Sequence, residues 1–230
     1  MNINKYISNS GYCSRRQADR LIKTGKVKIN GKIANILDKA NETDEVLIEN
    51  KKIVIASQKK IYLAFNKPFG VISTTDDKSP NNIMSYIKIP ERVYPIGRLD
   101  VKTSGLILLT NDGDIVNKIL KSKTVEKEYF VKVDKPLNDN FLSKISHGIM
   151  IDGRPTLPAK IEKKSNTTFN IIIVEGRKRQ IRRMCERFRY NVTELKRIRI
   201  GRIELDDIKE GKFIEINPDK IHGLLELEKN

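Results

Sequence analysis

The stretch GRLDVKTSGLILLT, residues 97–110, places a carboxylate, Asp100, two residues after the cation Arg98 and shortly before the apolar run 106–109. A short apolar run that follows a polar, glycine-bounded turn reads as a buried strand. A carboxylate at the edge of a core strand can be fixed in place by packing. A neighbouring guanidinium would keep it ionised and oriented. Such an aspartate can serve as a base or a nucleophile. Aspartate is also a common turn former, so the rest of the chain must decide between a working group and a turn residue.

Composition narrows the choice. The chain has 230 residues, 38% of them hydrophobic, enough for a small domain plus a larger one. No apolar run approaches the length of a membrane span, and the first residues lack the apolar core of a signal peptide. Two cysteines far apart, Cys13 and Cys185, and two histidines make neither a disulfide framework nor a good metal site. A reducing cytoplasm is the expected compartment. Lys plus Arg number 45 against 29 Asp plus Glu, a net charge of +16. That excess repels itself unless it meets a polyanion. No lipidation motif or basic amphipathic tail accompanies it, so a nucleic acid is the expected partner, not a membrane.

Two units are expected, 1–57 and 61–230, joined by the polar linker SQKK at 57–60. In the first, Ser14 and Gln17 form a capping box that starts a helix through Ala18, Leu21 and Ile22, with Gly25 placed to end it. Asn30-Gly31 between extended segments predicts a tight hairpin. Arg15, Arg16, Arg20, Lys23, Lys26, Lys28 and Lys32 fall on this helix and hairpin, a footprint suited to phosphates.

The second unit alternates strand-like and helix-like stretches, which predicts an α+β fold on a mixed, largely antiparallel sheet with flanking helices. IYLAFN and VIST read as strands around the turn Lys67-Pro68-Phe69-Gly70, and IMSYI as a short helix. Asn111-Asp112-Gly113-Asp114 can cap the helix IVNKILK. KEYFVKV alternates as a strand and places Tyr129 on one face with Lys127 and Val131. In EGRKRQIRRM, 175–184, five cations crowd into the seven residues 177–183 after an apolar strand and a glycine. A strand, a glycine and a basic helix start predict an anion site.

GRLDVKTSGLILLTNDGD, EKEY and EGRKRQIRRM, in that order and with NKPFGVIST ahead of them, resemble the RsuA-type family of RNA pseudouridine synthases. CSRRQADRLIKTGKVKINGK resembles the ribosomal protein S-four type of RNA-binding domain, expected ahead of the catalytic unit in that branch. The flanking details look nearest to members acting on large-subunit ribosomal RNA. The resemblance implies that Asp100 is the essential aspartate, Tyr129 stacks on the target base, Arg182 pairs with the aspartate and Ile181 lines the base pocket. Lys127 matches a basic residue beside the tyrosine, and the 67–70 turn is expected to support the site. Arg98, Arg15, Arg16, Arg20, Lys26 and Lys28 are the expected RNA contacts. Arg179 stands where a histidine often precedes Gln-Ile-Arg in the wider superfamily.

The implied reaction breaks the N1–C1′ bond of uridine, turns the uracil and joins C5 to C1′. It involves no net oxidation and no phosphoryl transfer, so neither cofactor nor metal is expected. Asp100 could attack C1′ or remove the C2′ proton. A monomer is expected. A non-catalytic RNA-binding assembly factor is the alternative that charge and the first unit would equally explain.

Overall fold

The computed structural model describes residues 1–55, 59–76 and 78–226. The chain divides into two compact units between Lys59 and Lys60. Of the expected linker, Ser57 and Gln58 lie outside the described residues, as does Asp77 of the 74–82 loop.

In the first unit, α1 (Ile3–Asn9) and α2 (Arg15–Lys23) accompany an antiparallel sheet of β1 (Val27–Ile29), β2 (Lys32–Ile33), β3 (Val46–Ile48) and β4 (Lys51–Ile53), in the order β2-β1-β3-β4. The capping box forms as read. The Ser14 hydroxyl accepts from Gln17 N at 3.2 Å, and Ser14 N donates to Gln17 Oε1 at 3.0 Å. Asn30 and Gly31 both take positive φ, 49° and 80°, and close the β1–β2 hairpin. The sequence reading omitted α1, whose Ile3, Tyr6 and Ile7 recur at helical spacing and enter the core beside Ala18, Ile22 and Val46.

In the second unit the strands are β5 (Tyr62–Lys67), β6 (Tyr94–Pro95), β7 (Ser104–Thr110), β8 (Lys127–Val133), β9 (Met150–Ile151), β10 (Arg154–Pro155), β11 (Lys160–Lys163), β12 (Thr168–Ile173), β13 (Val192–Ile200), β14 (Ile203–Glu204) and β15 (Phe213–Glu215). The helices are α3 (Gly113–Lys121), α4 (Asp139–Ser146), α5 (Gln180–Glu186) and α6 (Pro218–Glu226). The main sheet runs β11-β12-β8-β13-β7-β5-β15, with β6 and β14 paired at β7 and β13. Every pairing is antiparallel except β13 with β7. The mixed α+β architecture matches the expectation.

Helices cover both faces, which explains the unbroken apolar run of β7. Ile107 and Leu109 enter one core, shared with Phe141 of α4 and Met184 of α5. Leu106 and Leu108 enter the other, shared with Ile115 of α3 and Ile221 of α6. A strand buried on both faces has no polar side to alternate with. Gly105, at φ +99°, lies so close to β13 that an added Cβ would stand 2.2 Å from Arg197 O. Only glycine fits where β7 meets its parallel neighbour.

VIST is not a strand. Ile72 makes one isolated bridge to Asn82, and the Ser73 hydroxyl accepts from Leu99 N at 3.2 Å and donates to Leu99 O at 2.9 Å. The segment is committed to holding the 98–103 turn, so it cannot join the ladder. IMSYI is reduced to a single 3₁₀ turn at Ile83–Ser85, capped by Asn82.

Candidate active site

Asp100 is exposed, at the head of a turn closed by Thr103 N donating to Asp100 O at 3.0 Å. Three ties fix the turn. Ser73 holds Leu99 as described. Gly70 N donates to Val101 O at 2.8 Å, and Arg182 Nη2 donates to Lys102 O. The first two ties depend on Lys67 in part. Its ammonium is fully buried and donates to Pro68 O at 2.7 Å and Val71 O at 2.9 Å, which sets the 68–71 turn from within. Burial pushes the Lys67 amine down to about 8.

A cleft of about 600 Å³ opens beside this turn. Arg98, Asp100, Val101 and Thr103 form one wall, and Gly176 to Ile181 the opposite one. Tyr129, Ile173, Ile181 and Leu195 give it an apolar floor. Strands β8, β12 and β13 supply Tyr129, Ile173 and Leu195 because inward positions recur every second residue, and α5 supplies Ile181. Tyr129 is 8% exposed, and the Arg197 guanidinium carbon lies 5.9 Å from its ring centroid. A second hollow of about 400 Å³ shares Asp100, Val101 and Arg179 and is completed by Lys102, Arg182, Glu186, Asn191 and Val192.

The structure thus brings Asp100, Arg98, Tyr129 and Ile181 to one cleft, as the sequence led one to expect. Two expected roles need correction. Arg182 is close enough to Asp100 to be electrostatically influenced by it, but it forms no ion pair with it. Its terminal nitrogens go to Lys102 O and to Val192 O, the latter at 2.8 Å, and its Nε is buried without a partner. Burial, then Arg179, pulls its guanidinium below the ordinary value, and Asp100 opposes this. Lys127 is half-buried and turned inward. Its amine donates to Val125 O at 3.0 Å and Val174 O at 3.1 Å, tying β8 to the end of β12 instead of lining the cleft. Burial, then Arg197, lowers it to about 8.

The basic cluster is also less free than its composition suggests. Arg177 pairs with Glu175 at 3.1 Å and donates to the carbonyls of Ile151, Arg154 and Pro155. Arg179 pairs with Glu186 at 2.8 Å, and Arg183 grips Asp152 with both terminal nitrogens. These ties fasten the β9–β10 hairpin to α5 and to the cleft wall. Arg179 takes φ 52° at the start of α5, so the helix begins without a side-chain cap. In the first unit, by contrast, Arg15, Arg16 and Arg20 are exposed, and their side chains have no hydrogen-bond or ion-pair partner among the described residues. Lys26 pairs with Glu49, and Lys28 reaches Asn50 at 3.4 Å.

Sequence reasoning missed Lys67, Ser73 and Arg197. Lys67 was seen only as part of a turn. Arg197 shares the inward face of β13 with Leu195, and period-two counting along LKRIRI could have found it.

Residues 61–187 match the family described as RNA pseudouridylate synthase, and residues 1–46 match the S4 domain. The chain belongs to the RNA pseudouridylate synthase family. It is 44% identical over 230 residues to the dual-specificity RNA pseudouridine synthase RluF of Escherichia coli K12, covering 99% of this chain and 79% of that protein. It is 38% identical over 232 residues to the ribosomal large subunit pseudouridine synthase B of Bacillus subtilis 168, covering 96% and 94%. Among solved structures, a pseudouridylate synthase superposes with a TM-score of 0.72 at 32% identity, covering 97% of this chain and 99% of that one. Membership in this pseudouridylate synthase family gives the cleft its chemical context.

Proposed function

We propose that this pseudouridine synthase isomerises uridine in large-subunit ribosomal RNA, with Asp100 as the reacting carboxylate. The observation that carries the reading is the opposition of an exposed, rigidly held carboxylate to a tyrosine on an apolar floor. A uracil swung out of the RNA stack has a π surface to rest on and a dry seat among Tyr129, Ile173, Ile181 and Leu195. Asp100 then faces the sugar. Its carboxylate accepts no hydrogen bond from the described residues, so its lone pairs are available to C1′ or to the C2′ proton.

Arg182 acts on Asp100 through the main chain of Lys102, and the 67–70 turn does the same through Val101. The exposed arginines of α2 and the net charge of +16 suit the phosphate backbone. Large-subunit RNA is the substrate suggested by the relatives, and the cytoplasm is where such a substrate is found. Among the described residues no helix is long and apolar enough to cross a membrane. The protein is expected to work as a monomer.

The test is pseudouridine mapping of ribosomal RNA by carbodiimide labelling and primer extension. Cells lacking the gene are compared with cells rescued by wild type or by Asp100→Asn. A large-subunit site restored only by wild type supports both the reaction and the role of Asp100. Unchanged ribosomal and transfer RNA in every strain would instead favour a non-catalytic RNA-binding factor.

A further inference from the structure

Arg197 is 4% exposed in the centre of the main sheet, and no carboxylate among the described residues pairs with it. It nevertheless lowers the charge preference of two further inward-facing cations, buried Lys67 and half-buried Lys127. A buried guanidinium among like charges is costly, and a hydrocarbon of similar volume would pack there more cheaply. Its contacts indicate what it contributes. On one side its backbone is paired with Tyr129 of β8. On the other it is paired in parallel register with Gly105 of β7, the strand that leaves the Asp100 turn. The side chain repeats this bridge. Nε donates to Leu106 O at 2.7 Å, which fixes the plane of the guanidinium, and Nη1 donates to the Tyr129 hydroxyl oxygen at 3.4 Å. Nη2 is buried with no partner.

A guanidinium has no acceptor. The Tyr129 hydroxyl therefore cannot donate back to Arg197, and it donates to no other group among the described residues, so its proton is left for a group bound in the cleft that Tyr129 lines. We propose that Arg197 is a positioning residue for Tyr129: it locks the phenol to the strand carrying the Asp100 turn and directs the hydroxyl proton into the cleft. This rests on the isomerase reading above. Arg197 touches neither substrate nor reacting atoms. Gly105 is what makes it possible, because any side chain there would displace the Arg197 backbone.

The experiment uses ribosomal RNA from cells lacking the gene, labelled with tritium at uracil C5. The tritium leaves to water as C5 bonds to C1′. Wild type, Arg197→Lys, Tyr129→Phe and the double variant are compared for kcat and for RNA retention on filters. Lysine keeps the charge and can still reach Leu106 O, but it cannot span both acceptors. Each single variant is expected to lose about tenfold in kcat, the scale of one charge-assisted hydrogen bond, with RNA retention unchanged. The double variant is expected to be no slower than Tyr129→Phe alone. Arg197→Met, if it folds, should behave like Arg197→Lys against the Tyr129→Phe background.

Losses that multiply in the double variant, or an Arg197→Lys enzyme with full kcat, would overturn the proposal. So would an Arg197→Lys loss confined to KM. If wild type releases no tritium, the isomerase reading itself fails, an outcome readily told apart from multiplying losses in an active enzyme.

Discussion

The Arg182 guanidinium donates to the carbonyl oxygen of Lys102, two residues beyond Asp100 and 80 residues from Arg182 in sequence. The arginine thus governs the carboxylate through the backbone that carries it. With its second bond, to Val192 O, it joins α5, the Asp100 turn and the start of β13 at one point.

Arg182→Ala leaves two carbonyls without their donor, at about 1–3 kcal/mol for each buried group left unpaired. Both bonds are only part-buried, so urea unfolding should show a total loss near the lower end for two such groups, about 2 kcal/mol, and isomerase activity should fall by at least a hundredfold as the turn loosens. Arg182→Lys offers one compact donor where a fork served two acceptors, so it should recover stability only in part and activity hardly at all. A fully active lysine variant would show that charge near Asp100, not the fork, is what matters.

Asp100→Asn removes the charge and leaves the turn intact, because the turn uses the Asp100 carbonyl and not its side chain. The exposed side chain has no bond to lose, so the free energy of urea unfolding should stay within about 0.5 kcal/mol of wild type. RNA retention should persist while pseudouridine formation disappears. Activity near wild type would remove Asp100 from the mechanism.

Gly105→Ala tests the contact on which the β7–β13 pairing depends. The added methyl would meet backbone, which cannot swing aside, and φ +99° is strained for any L side chain. A loss of at least about 2 kcal/mol is expected from the combined strain and overpacking. Arg197 and Tyr129 should shift with it, so tritium release should fall even where the variant remains folded. An alanine variant of normal stability would mean that the two strands sit further apart.

Much of this site could be read from the chain because its signals are local. Asp100 stands beside an apolar run that can only be a core strand, and Tyr129 lies on an alternating one. The 177–183 cluster misled for the opposite reason. Sequence displays charge, but not the partner that takes it up. Arg183 spends its charge on Asp152, 31 residues away, and Arg177 on a hairpin that no local pattern announces. The partner of Arg197, not its inward face, was hidden by topology. That acceptor, Leu106 O, is 91 residues distant, across the sheet's single parallel pairing, a neighbour that strand periodicity cannot supply. VIST failed as a strand because a serine hydroxyl took over a hydrogen-bonding task that apolar patterning does not record.

Lys67 links this buried architecture to pH. Burial lowers its amine from 10.5 to about 8, Glu210 and Asp100 oppose that pull, and Arg197 adds to it. Below about pH 8 the lysine is charged in both folded and unfolded chains, and the full cost of burying the charge is present. Between about 8 and 10.5 the unfolded chain still holds the proton and the folded chain does not, so stability gains with rising pH. The neutral amine keeps two hydrogens, enough for Pro68 O and Val71 O, so the turn that holds Asp100 should survive the titration. Lys67→Met abolishes the proton equilibrium. Urea unfolding of both proteins at pH 7, 8, 9 and 10 should show the stability difference moving in favour of wild type by about 2.5 kcal/mol from pH 7 to pH 10, the part of such a shift that this window spans. A difference that stays flat with pH would mean that Lys67 keeps its ordinary affinity for the proton and that its burial costs the fold little; one that moves toward the variant would mean that the fold raises that affinity.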